Sequence, residues 1–156
     1  MPRPVYIIAS ESTSEDARSN VLSIFNVIER IEIEFAVISA TSQPPPLSPA
    51  AIQGNLNRFV VIAVWMKLPT DNPDDAHQHQ MAMCYPDGTE KIVADDNNVL
   101  FANDDRPLNR YGLVVAGSPT TMEGTFRFES RMRRVGNEEW IRQDYPIRVV
   151  VKHVPS

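Results

Sequence analysis

The sequence has little of the material from which nucleophilic, redox and phosphate-binding sites are usually built. Its 156 residues include one cysteine, Cys84, so no disulfide can form within the chain. They include six glycines, and no phosphate-binding loop, dinucleotide-binding fingerprint or Cys-x-x-Cys pair occurs. No Gly-x-Ser-x-Gly elbow marks a nucleophilic serine. The enzyme classes that these motifs define are therefore excluded, and the lack of a disulfide favours a cytoplasmic location.

Long apolar runs and an excess of basic residues are missing as well. No apolar stretch approaches the roughly 20 residues that a membrane-spanning helix needs, and the run Val5–Ala9 is too short for the core of a signal peptide. The formal net charge is -5, and a negative chain repels phosphate backbones and anionic lipid surfaces. We therefore expect neither a nucleic-acid partner nor a membrane partner.

What the sequence does contain is a series of short strand patterns separated by turn residues. Ile31–Phe35 alternates between apolar and charged residues, and the strand before it is expected to end near Glu29. Residues 125–133 alternate in the same way, with Phe126 and Phe128 on the apolar face. Strands spaced by about 8–12 residues, with turn signals between them, are typical of sandwiches and barrels.

These patterns predict an all-β chain, folded as a two-sheet antiparallel β-sandwich of the immunoglobulin-like or jelly-roll-like kind. No shift in composition marks a boundary, so residues 1–156 are expected to form a single domain. A proline-rich loop at residues 43–49 interrupts the strands. Ser48 could cap one short helix in the 48–57 region.

The segment Phe59–Met66 is the most apolar part of the chain, and it is apolar on both faces. Such a strand is expected to lie in the centre of its sheet with cover on each side. In a two-sheet domain the outer cover must come from a loop, a helix or a second subunit.

Several segments together carry a resemblance to a known family. They are Glu11-Ser12, Asn20–Glu29, Trp65, Tyr85–Gly88, Gly124–Glu129, Trp140 and Tyr145–Val149. The chain resembles a family of small bacterial β-sandwich proteins of unknown function, and its last hairpin is similar to that of immunoglobulin-like sandwiches. The resemblance covers most of the chain and implies the sandwich fold. It implies no activity, so no functional residue is carried over.

One candidate metal site stands out, at His77-Gln78-His79. Residues two apart on a strand point to the same face, so both imidazoles could bind one divalent metal, with Asp75 or Asp74 supplying an oxygen. The two histidines alone fall short of the three or four ligands that a protein metal site usually provides. The alternative is that both histidines are polar residues at the solvated start of a strand.

A second candidate is an interaction surface of arginines. Arg127, Arg131 and Arg133 share one face of a strand, and Arg142 is expected to join them from the neighbouring strand. Arginine is favoured at protein interfaces and in carboxylate recognition. Pairing across the sheet with Glu138 or Glu139 would explain the same arginines without any partner.

These observations favour a binding or assembly module that is not an enzyme, needs no cofactor and presents a sandwich surface to a protein partner or to itself as a homo-oligomer. The competing hypothesis is a metal-dependent small-molecule binder or enzyme that uses His77, His79 and the loop carboxylates. A carbohydrate-binding sheet would need exposed aromatic side chains, whereas Trp65 and Trp140 are expected in the core or at its rim.

Overall fold

The computed structural model describes residues 1–15, 22–37, 58–72, 74–101, 108–116, 120 and 122–155, and this part of the chain is all-β. Its strands are β1 (Arg3–Glu15), β2 (Leu22–Val27), β3 (Arg30–Val37), β4 (Arg58–Met66), β5 (His77–Cys84), β6 (Glu90–Val99), β7 (Leu108–Ala116), β8 (Gly124–Arg134) and β9 (Ile141–Pro155). The break expected near Glu29 separates β2 from β3. The short helix expected in the 48–57 region lies outside the described residues.

The strands form two sheets, which confirms the predicted sandwich. The four-stranded sheet has the order β2-β1-β4-β7, and the five-stranded sheet has the order β3-β9-β8-β5-β6. One pair departs from the antiparallel expectation, because β3 runs parallel to β9, with Arg30 opposite Arg148 and Ile33 opposite Val151. Strand β9, the last of the described strands, therefore lies between β3 and β8.

The core is formed where the inward side chains of the two sheets meet. Phe59 and Val61 of β4 and Phe126 and Phe128 of β8 are fully buried. The rings of Phe59 and Phe128 meet edge to face across the sandwich, with centroids 5.8 Å apart. Burying one such side chain contributes about 2 kcal/mol. The alternation predicted for residues 125–133 therefore places its apolar face in the core.

Strand β4 lies between β1 and β7, as its apolar sequence predicted. All nine of its residues pair with β7 in unbroken register, from Arg58 opposite Ala116 to Met66 opposite Leu108. On the side away from the core, Ile62 is 7% exposed and Val64 is 1% exposed. The strand is thus central in its sheet and covered on both faces.

The turn between β5 and β6 is fixed by hydrogen bonds of its own residues, among them Asp87, Gly88 and Thr89. Gly88 donates its N–H to the carbonyl of Tyr85 (3.0 Å) and adopts a φ of 86°, a backbone conformation that favours glycine. The Asp87 carboxylate accepts from the N–H and the hydroxyl of Thr89. Strand β6 continues to Val99, which is its only buried residue.

Candidate functional site

The two histidines of the candidate metal site lie inside the sandwich. His77 and His79 are each 2% exposed, so the solvated strand start considered above was wrong. Both belong to β5, which lies between β6 and β8. The edge-to-face contact of His77 with Phe101 (5.6 Å) places it beside a second apolar cluster that also contains Trp65 and Met132.

His79 takes part in a buried hydrogen-bonded group that joins the two sheets. Its Nε2 lies 2.9 Å from the hydroxyl of Ser130 on β8. The same hydroxyl accepts from the indole N–H of Trp65 on β4, also at 2.9 Å. The ring of Tyr111 on β7 stacks on His79, with centroids 3.6 Å apart. Three side chains from the core of the sandwich thus fix the position of the imidazole.

The donors and acceptors of this group are satisfied when His79 is neutral. An indole N–H can only donate, so the Ser130 hydroxyl acts as acceptor toward Trp65 and keeps its own hydrogen for His79. A neutral imidazole with its hydrogen on Nδ1 accepts that bond at Nε2. The arrangement resembles a Ser–His catalytic pair, but Ser130 is completely buried and no substrate can approach its oxygen.

Burial has the same effect on the ionisation of both histidines. It lowers the pKa of His79 to about 4, against the attraction of Asp96 and Asp95. It also lowers the pKa of His77, where the nearby Asp75 carboxylate opposes the shift. Taking a charged imidazole out of water is unfavourable without a close counter-charge. Both rings are therefore neutral at pH 7.

The remaining ligand of the candidate metal site is committed elsewhere. The Asp75 carboxylate forms an ion pair with Arg134 at 2.7 Å. Among the described residues, no group of three or more His, Cys, Asp or Glu side chains is arranged to hold a metal ion. Within the same residues, His77 Nδ1 is buried without a hydrogen-bond partner. Metal binding at His77, His79 and Asp75 stays a prediction.

We expect Ser130→Ala to destabilise the fold by about 2 kcal/mol, because it leaves Trp65 Nε1 and His79 Nε2 buried without their shared partner. Urea unfolding followed by tryptophan fluorescence measures the change. Ser23→Ala on β2, where the serine is exposed, is the matched control and should change stability by less than about 0.5 kcal/mol. Equal effects of the two substitutions would contradict a structural role for the buried hydroxyl.

The arginines of the predicted interaction surface lie on the outer side of the five-stranded sheet, and most of their charge is matched within the chain. Arg131 forms two hydrogen bonds to the Glu90 carboxylate (2.9 and 3.2 Å) and one to Glu129 (3.3 Å). Arg142 pairs with the same Glu129 carboxylate at 3.5 Å. Arg127 lies 4.0 Å from Asp144. The carboxylates that pair with these arginines thus lie on β6, β8 and β9, whereas Glu138 or Glu139 was expected.

Two of the arginines are also held by amide and aromatic side chains. Arg131 Nε donates to Gln80 and Arg133 Nε donates to Gln78, each at 2.8 Å. The guanidinium of Arg133 lies 4.4 Å from the centroid of the Trp140 ring, and that of Arg131 lies 5.4 Å away. Both glutamine amides donate in turn to Asp95 (3.0 Å). We call the set Gln78, Gln80, Glu90, Asp95, Glu129, Arg131, Arg133, Trp140 and Arg142 the arginine network.

Two further features could carry chemistry, the thiol of Cys84 and a groove on the surface. Cys84 is buried, and burial raises the pKa of its thiol, with the Glu129 carboxylate adding to the shift. A raised pKa keeps the thiol protonated and unreactive. An open groove of about 310 Å³ is lined by Glu29, Thr125, Tyr145, Pro146 and Arg148. Its two charged residues have opposite signs, so the groove selects neither anions nor cations.

The outer side of the four-stranded sheet has a different character. We call eight of the apolar side chains that the register places on that side the apolar face: Tyr6, Ile8, Phe25, Val27, Val60, Ile62, Val64 and Val114. Ile62 and Val64 on the central strand β4 are buried. Three of the eight are about half exposed, namely Phe25 (50%), Val27 (48%) and Val114 (52%). Val27, Ser10, Val60 and Val114 form one row across all four strands. Phe25 and Val27 lie together on the edge strand β2, and Val114 lies on the opposite edge strand β7. Exposed apolar side chains that share one side of a sheet mark interaction surfaces more often than isolated ones do.

Comparison of the chain with family models, with curated proteins and with solved structures finds no match. The resemblance to small bacterial β-sandwich proteins therefore stays a prediction. The described residues contain no helix with the length and apolarity that a membrane crossing requires.

The sequence did not indicate the residues that contact His79, or the carboxylate that pairs with Arg131. Ser130 and Tyr111 lie 51 and 32 positions from His79 in the chain, and Glu90 lies 41 positions from Arg131. The signal that could have found Ser130 is its place in a row of buried residues, since a serine between Phe128 and Met132 must find a partner in the core.

Proposed function

We propose that this protein is a cytoplasmic binding module without enzymatic activity, which presents its apolar face to another protein with an apolar contact surface. The observation that carries the proposal is the half-exposure of Phe25, Val27 and Val114 on one side of the four-stranded sheet. Covering such side chains with a partner removes apolar surface from water, which favours association. Aromatic residues such as Phe25 are enriched at the centres of protein interfaces.

The opposite side of the sandwich supports this choice by contrast. There Arg131 has satisfied its donors within the chain, through Gln80, Glu90 and Glu129. A partner would have to break such pairs before it could use them, and this cost weakens binding. The half-exposed Phe25, Val27 and Val114 are apolar, so a partner breaks no side-chain hydrogen bond of theirs when it covers them.

The buried position of the reactive side chains also supports a role other than catalysis. His79 and Ser130 face each other inside the core at 2.9 Å, and the Cys84 thiol is buried. General bases and nucleophiles must reach a substrate. We therefore place the function of the molecule on its surface.

Photo-crosslinking in cells tests the proposal. Replacing Phe25 by p-benzoylphenylalanine keeps an aromatic ring at this position and, upon irradiation, is expected to give covalent adducts with a partner protein. The control carries the same amino acid in place of Ile92, which is equally exposed (47%) but belongs to the five-stranded sheet. Adducts from position 25 at least fivefold more abundant than from position 92 are expected. Equal yields from both positions, or none from position 25, would overturn the proposal.

A further inference from the structure

The two sheets have four edge strands, and three of these carry features that block pairing with another chain. β6 contains Glu90, Lys91, Asp95 and Asp96 and is irregular at two places in its register with β5. β3 alternates Arg30, Glu32 and Glu34 along its length. β2 has six residues, and Asn26 within it has a φ of 54°. Charges, bulges and short or distorted strands are the usual means by which native sheets protect their edges.

The fourth edge, β7, lacks these features. It has nine residues, all paired with β4 without a register shift. Its single charged residue is Arg110, and it contains no proline. Among the described strands, none pairs with its free side. A regular strand of this length presents a row of backbone donors and acceptors to a further strand.

We infer that β7 pairs antiparallel with β7 of a second copy of this chain, joining two four-stranded sheets into one sheet of eight strands. The inference builds on the proposed function, because the pairing joins two apolar faces on the same side of the larger sheet. A two-fold axis perpendicular to the sheet keeps outward side chains outward in both copies.

The distribution of residues along β7 favours a second copy as the partner. Gly112 is the midpoint of the strand, and an axis through it places Arg110 opposite Val114 of the second copy. The two Arg110 side chains are then four residues apart along the pair, about 13 Å, which exceeds the screening length of roughly 8 Å at physiological salt. Like charges therefore do not oppose each other. The row Ile8, Ile62 and Gly112 continues across the axis into the same row of the other copy.

The position of Gly112 allows a direct test by disulfide trapping. A Cβ atom added at Gly112 meets no atom within 4 Å, so Gly112→Cys is compatible with the fold. Two cysteines opposite each other in an antiparallel pair are within disulfide distance. Under mild oxidation of dilute protein, Gly112→Cys should form a covalent dimer at least tenfold faster than Ile92→Cys, whose cysteine lies on the charged edge strand β6. Val114→Cys serves as a second probe, because it forms the faster dimer if the axis passes through residue 114, two residues further along the strand.

The outcomes separate this inference from the proposed function. Rapid trapping at position 112 or 114, together with a dimer in sedimentation velocity of the unmodified protein, supports β7 pairing. Trapping no faster than at position 92, or a monomer at every concentration, overturns it. In either case the photo-crosslinking at position 25 decides separately whether the apolar face binds another protein.

Discussion

Acidification from pH 7 to pH 4 is expected to lower the free energy of unfolding by about 3 kcal/mol through His79 alone. The imidazole has a pKa of about 4 in the folded protein and an ordinary value of 6.5 when exposed. Between these values the unfolded chain binds a proton that the folded chain does not, so stability falls as the pH falls. Each unit of pKa difference corresponds to about 1.4 kcal/mol. The contribution of His79 is complete above pH 6.5 and is lost as the pH approaches 4.

Urea unfolding at half-unit pH steps measures this loss. His79→Leu is the matched variant. It loses the hydrogen bond to Ser130 and is therefore less stable at pH 7. Its free energy of unfolding should fall less steeply between pH 6.5 and pH 4, because the titration of His79 no longer contributes. A residual slope is expected from His77, whose pKa is lowered in the same direction. An unchanged slope in His79→Leu would show that this imidazole titrates normally in the folded protein.

Arg131→Met is expected to destabilise the protein by about 3–5 kcal/mol, the largest effect of any single substitution proposed for this chain. The arginine side chain is 10% exposed and neutralises Glu129, which is 9% exposed. Removing it leaves a buried carboxylate without its closest cation and Gln80 without a donor. Methionine has an unbranched side chain like the stem of arginine but carries no guanidinium, so the loss reports mainly on charge and hydrogen bonding.

Arg142→Met is the control for that substitution. Arg142 contacts the same Glu129 carboxylate, but its side chain is 55% exposed, and exposed ion pairs contribute about 0–1 kcal/mol. Urea is the denaturant of choice, since guanidinium screens ion pairs. The double variant Arg131→Met with Glu129→Gln should recover at least half of the loss, because the unpaired charge is gone. If Arg131→Met destabilised the protein as little as Arg142→Met does, Glu129 would not be a buried carboxylate that depends on Arg131.

Local patterns in the sequence predicted the strands well, because a half-buried strand repeats every two residues and this period is visible in one chain. Residues 125–133 and Ile31–Phe35 show it directly, and the doubly apolar Phe59–Met66 indicated a central strand. The chemistry of the β5–β6 turn was equally local, since Asp87 and Gly88 act on their immediate neighbours.

Pairings between distant strands could not be predicted in the same way. Nothing in the local sequence of β5 shows that Trp65 from one sheet and Ser130 from the other will meet at His79. The arginines were found as a row, but their partner Glu90 depends on β6 lying beside β5. The pattern of charges therefore predicted which side chains share a face. The order of the strands decided whether these side chains pair within the chain or are available to a partner protein.

The parallel pair of β3 and β9 governs when the molecule can finish folding. Lys152 and Glu32 form an ion pair although 120 residues separate them, and β9 also supplies the partner of β8. During synthesis, β3 with its apolar Ile31 and Ile33 stays without its partner until β9 has left the ribosome. Long-range pairing of this kind slows folding. Completion of the five-stranded sheet thus follows the synthesis of β9, and the nascent chain carries its unpaired β3 until that moment.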